Sequence, residues 1–92
     1  MGKPPTKKSA RWTRRKNHTT TPQRDAQVTL GANVRKAREA LDLSQEAFAD
    51  RCNFHRSHMG EIERGESNVT IATMLILART LKTTIYDLLK GV

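Results

Sequence analysis

Only one cysteine, Cys52, occurs in the 92-residue chain, so no internal disulfide can form, and no Cys/His spacing of the kind that closes a zinc site accompanies it. Aromatic residues are scarce, at 4% of the chain, while helix formers are plentiful, which favours an all-α class over a sheet. Apolar runs are short. None approaches the roughly 20 residues of a membrane-spanning helix, and the N-terminus lacks a secretory apolar core, so a cytoplasmic protein with no membrane contact is expected. Also missing are a nucleophile beside a base and a Gly-rich phosphate loop, and the length accommodates one small domain without a catalytic pocket. Catalysis, a metal, a cofactor and a small-molecule ligand are therefore not expected.

What the chain does have is positive charge, unevenly placed. Residues 1–29 contain eight Lys or Arg against the single Asp25, while residues 30–92 contain nine against eight acidic residues. The formal charge of +8 thus sits almost wholly in an N-terminal arm, which suits a polyanion. Residues 1–28 are also poor in apolar side chains, and that composition predicts disorder up to about Gln27, with the folded domain at 29–92. Trp12, flanked by Arg11, Arg14 and Arg15, can stack on a base or enter a minor groove; the plainer reading is an arm that neutralises phosphates without preference.

The most informative stretch is Gln45 to Arg64, QEAFADRCNFHRSHMGEIER. Phe48, Ala49 and Cys52 share one helical face, and Phe54, Met59 and Ile62 make a second apolar set. Asn53 lies at the break, where a left-handed backbone is needed. Ser44 is a good N-cap before the first helix, and Gly65 a good terminator after the second. Ala49 is small where the two helices must cross, and Cys52, closing an apolar face, reads as core.

Upstream, Leu30, Val34, Ala37 and Leu41 form a stripe that predicts a helix over Leu30–Leu41, with Asp42 in the turn. Downstream, Thr70 caps a helix to about Leu81, with Ile71, Met74, Leu75, Ala78 and Leu81 predicted to face inward. A last short helix, about Thr84 to Leu89, opens on a Thr-x-x-Asp cap and buries Ile85 and Leu88. Ile76 falls off the inward stripe and, with Tyr86, Leu89 and Val92, makes an apolar patch. That patch is either a dimer surface or a scatter of surface residues on a monomer.

The motif LSQEAFA with the trailing IERG resembles the lambda repressor and Cro-like family of helix-turn-helix DNA-binding regulators, over roughly Leu30 to Leu89. The resemblance implies a compact five-helix domain that binds double-stranded DNA, most often as a homodimer joined through C-terminal helices, and regulates transcription as a repressor or activator. It implies base contacts from Arg56, Ser57 and Glu61 in the second helix of the motif. Phosphate contacts are implied for Gln45 and, on the far side, for Arg64, Ser67 and Asn68. It further implies an ion pair between Arg38 and Glu63 that fixes the angle between the first helix and the reading helix.

Physical chemistry gives those positions their roles. A helix N-terminus aims free amides at phosphates, so Gln45 sets register. The Arg56 fork fits guanine O6 and N7; Glu61 can accept from cytosine N4 or hold Arg56 in place. His55 and His58 lie near the expected phosphate line, so their protonation would tighten binding at mildly acid pH. Departures from the family pattern include Asp42 where Gly is frequent, His55 as N-cap, Val69 where Pro is frequent, and Gly60 inside the reading helix. Gly60 allows close approach of either the neighbouring helix or DNA. Two related functions share these residues, an antitoxin and a controller of a restriction-modification system, and the neighbouring gene separates them.

Overall fold

The computed structural model describes residues 21–92, five helices with no strand among the described residues. They are α1 (Pro22–Ala40), α2 (Gln45–Cys52), α3 (Arg56–Glu63), α4 (Ile71–Thr80) and α5 (Ile85–Leu88). The five-helix all-α architecture agrees with the sequence reading. Residues 1–20, with Trp12 and most of the basic arm, lie outside the described residues.

Capping chemistry sets the helix boundaries. Thr21, Ser44, Thr70 and Thr84 each accept a hydrogen bond through the side-chain oxygen from the backbone N–H three residues on, at 3.0 to 3.1 Å. At the other ends the chain turns through a left-handed residue: Asp42 (φ 57°), Asn53 (φ 61°), Gly65 (φ 77°) and Lys82 (φ 58°). Beyond each of these, one amide reaches back five residues, as in Leu43 N–H to Arg38 O and Glu66 N–H to Glu61 O. That pairing satisfies the last carbonyls of each helix.

Helix α1 begins at Pro22, eight residues before the predicted Leu30. The composition of residues 22–29 favoured disorder, but three local signals favour helix: the Thr21 cap, Pro at the first position and Asp25 in the first turn. Elongating an existing helix incurs no second nucleation cost. Gln27 then ties the extension down by donating from Nε2 to Gly65 O at 3.1 Å.

The core is formed by Leu30 and Val34 from α1, Phe48, Ala49 and Cys52 from α2, Met59 and Ile62 from α3, and Leu77, Ala78, Leu81 and Leu88 from the C-terminal part. Cys52 is buried as predicted, and burial raises its thiol pKa. Four expected placements are corrected. Ile71 and Leu75 of α4 are exposed, at 67% and 48%, and Leu77 takes the central place, because the buried stripe runs Met74, Leu77, Ala78, Leu81. Leu41 falls one residue past the end of α1 and is 41% exposed, while Leu89, assigned to the surface patch, packs in part against the core. Ile76, Tyr86 and Val92 are exposed as expected.

Gly31 and Asn33 were not singled out in the sequence, and both lock elements together. Gly31 lies where α1 passes the carbonyl end of α3, and a Cβ there would meet Ile62 O and Glu63 O, the latter at 2.7 Å. Asn33 donates from Nδ2 to Leu88 O at 2.8 Å and to Lys90 O at 2.9 Å, closing the end of α5 onto α1.

Candidate nucleic-acid interface

Helix α3 is presented by the two elements beneath it. Its inner face, Met59 and Ile62, is buried in the core, Gly60 is covered by the Arg64 side chain, and its outer face carries Arg56, Ser57 and Glu61 in solvent. The link to α1 is the Arg38–Glu63 pair that the family resemblance implied. Arg38 Nε donates to Glu63 Oε2 at 2.7 Å and Nη2 to Oε1 at 3.0 Å, with the two side chains 11% and 3% exposed. Arg38 Nη1 also donates to Leu43 O at 2.8 Å, so one guanidinium joins α1, α3 and the chain entering α2. The bond to Glu63 raises the Arg38 pKa against the opposing effect of burial.

Gln45 completes this network. Its Nε2 donates to Glu63 Oε1 at 3.2 Å, and because a carboxylate only accepts, that contact fixes which way round the amide lies. The Gln45 side-chain oxygen is therefore turned away from Glu63, 3.6 Å from where a Cβ on Gly60 would lie. Its remaining donors are the second Nε2 hydrogen and, beside it, the backbone amides opening α2.

His55 caps α3 in spite of its residue type. Nδ1 accepts from Ser57 N–H at 3.4 Å and lies 3.0 Å from Ser57 Oγ. His58 is half-buried, with its ring centroid 5.2 Å from that of Phe54.

Six predicted contact residues, Gln45, His55, Arg56, Ser57, Glu61 and Arg64, line one open concavity of about 470 Å³ together with Gly60. His58, Ser67 and Asn68 do not line it. Among the described residues Arg56 and Glu61 make no ion pair with each other, while Arg64 is engaged by Glu66 through two bonds of 3.1 Å. Glu66 was not predicted to have a role. Its signal in the sequence is an opposite charge two residues past a helix-ending arginine, too common a pattern to be noticed.

A short helix packed across an N-capped second helix, with the second helix's polar face outward beside the first helix's amides, is the arrangement that places side chains in a major groove. Fold and site together define a helix-turn-helix domain. Comparison with known proteins agrees: the helix-turn-helix family model HTH_3 matches residues 34–88. The control protein C.SmaI of Serratia marcescens is 43% identical over 65 residues, which is 71% of this chain and 77% of that protein. The control protein C.MunI of a Mycoplasma species is 30% identical over 69 residues, covering 74% and 93% of the two chains. Among solved structures, the restriction-modification controller protein C.AhdI of Aeromonas hydrophila superposes with a TM-score of 0.64 at 38% identity, over 66% of this chain and 92% of that one. The chain belongs to the helix-turn-helix family of DNA-binding transcriptional regulators.

Proposed function

We propose that this protein is the controller of a restriction-modification system, a cytoplasmic homodimer that binds a palindromic double-stranded DNA operator. In this reading Arg56, Ser57 and Glu61 contact base edges, and Gln45, His55, His58, Arg64, Ser67 and Asn68 contact or face the backbone. The single observation that carries it is the exposed outer face of α3, with Arg56 unpaired among the described residues and grouped with Gln45, Ser57 and Glu61 around one concavity. The names of the relatives favour the controller over an antitoxin. A methyltransferase gene beside the coding sequence would agree with that choice, and a small toxin gene in its place would oppose it.

One such domain covers little DNA, so two copies on half-sites about one helical turn apart supply the affinity. Ile76, Tyr86 and Val92, with the unexpectedly exposed Ile71 and Leu75, provide the apolar surface for self-association, and Leu89 supports it from the core side. The basic residues of the arm neutralise further phosphates. Deleting residues 1–20, which leaves the α1 cap intact, should weaken binding to all sequences and reduce the salt slope by roughly 0.9 for each phosphate that the arm neutralises.

The test is selection from a randomised duplex pool followed by competition. Arg56→Ala should lose about 1 to 3 kcal/mol of discrimination at one base pair per half-site while keeping its fold. Unchanged preference in that variant would refute the assignment of α3 as the reading helix.

A further inference from the structure

Arg64 closes α3, yet its side chain turns back along the helix. Nη1 lies over Gly60, 3.0 Å from where a Cβ on that residue would sit, and the guanidinium joins the lining of the concavity beside Gln45 and Glu61. Any side chain at position 60 would contend for that space. Glu66 holds the guanidinium in place: Nε donates to Oε2 and Nη2 to Oε1, both at 3.1 Å. This two-bond fork is the geometry a guanidinium offers to a phosphate group. The pair stands in solvent, with side-chain exposures of 59% and 51%, so it is screened and exchanges readily.

We propose that Glu66 is an intramolecular stand-in for a DNA phosphate: it stores the Arg64 fork over Gly60 and releases it to the backbone when a duplex seats on α3. The proposal rests on the reading of α3 as the DNA-reading helix. Exchange replaces one fork with another and leaves a bare carboxylate beside phosphates, so Arg64 adds little to any complex held by backbone contacts alone. Glu66 thus lowers affinity for every sequence and enlarges the share of binding that depends on base contacts from Arg56. It is a positioning residue, acting through Arg64.

The test is a double-mutant cycle on the full chain, reading affinity and salt slope on a mixed-sequence duplex about two helical turns long. E66Q should tighten binding by about two- to five-fold, the worth of one exposed ion pair. It should also steepen the salt slope and leave the thermal midpoint nearly unchanged. In the Arg64→Ala background the same substitution should give a clearly smaller gain, because only the long-range effect of removing one negative charge is left. An equal gain in both backgrounds, or none in the wild-type background, overturns the proposal. Arg56→Ala, measured alongside on the selected operator, separates the two failures: diminished discrimination there with no Arg64–Glu66 coupling refutes the storage role alone, whereas indifference to Arg56→Ala refutes both.

Discussion

Two glycines lie inside helices of this domain, and helix propensity alone treats them alike: Gly to Ala should gain about 1 kcal/mol at either position. The structure separates them. At Gly31 the atoms facing an added Cβ are the carbonyl oxygens of Ile62 and Glu63, backbone that cannot turn aside. Restoring ordinary contact to Glu63 O alone requires α1 and α3 to part by about 0.7 Å. That opening falls at the junction held by the Arg38–Glu63 bonds and by the packing of Val34 and Ile62. Overpacking of this kind costs about 2 to 3 kcal/mol, so after the propensity gain Gly31→Ala should lose about 1 to 2 kcal/mol, or roughly 5 to 15 °C in thermal midpoint for a domain this small. At Gly60 an added Cβ meets the end of the flexible Arg64 side chain, which can swing away. Gly60→Ala should therefore hold or raise the midpoint. Thermal unfolding followed by circular dichroism reads both variants, and a Gly31→Ala midpoint equal to or above wild type would refute the close-approach argument.

Three further outcomes are expected. Arg38→Ala strands the nearly buried Glu63 carboxylate with Gln45 as its remaining donor, and urea unfolding should show a loss of about 3 to 5 kcal/mol, whereas replacing Arg38 and Glu63 together by Met should lose much less. Lys82 adopts φ 58° without the freedom of glycine, so Lys82→Gly should raise the midpoint by a few degrees, equivalent to about 0.5 to 1 kcal/mol. Tyr86→Asp combined with Ile76→Asp places charge on the exposed apolar surface, and sedimentation should show a folded monomer for this variant against the proposed dimer for the wild type.

The parts of this domain that could be read from sequence are those specified by local rules. The caps at Ser44, Thr70 and Thr84, the left-handed turns at Asp42 and Asn53, and the terminator Gly65 each depend on a residue and its near neighbours. The Arg38–Glu63 pair, 25 residues apart in the chain, came from family resemblance, since no local rule joins them. What was not legible depends on tertiary placement. The α1 extension has the composition of a disordered arm, and the Thr21 cap and the Gln27 bond to Gly65 tip it to helix. Along α4 nearly every position from Ile71 to Leu77 is apolar, so periodicity could not choose between a stripe centred on Leu75 and one centred on Leu77. The roles of Gly31 and Asn33 become visible only once α1 is seen to lie against the ends of α3 and α5. The motif grouped Arg56, Ser57 and Glu61 on one face with Gln45 beside them, but it set Arg64 on the far side with Ser67 and Asn68; the turn of Arg64 back over Gly60 and the hold of Glu66 on it are side-chain geometries that sequence spacing does not encode.

The central claim, that the outer face of α3 meets duplex DNA, is tested most directly by titrating the isotope-labelled protein with its selected operator duplex and following every backbone amide by NMR. The largest shifts should fall on Gln45, Arg56, Ser57, Glu61 and Arg64, with those of α5 small once the dimer is formed. Shifts concentrated on α5 and the exposed side of α4, with α3 unmoved, would contradict it.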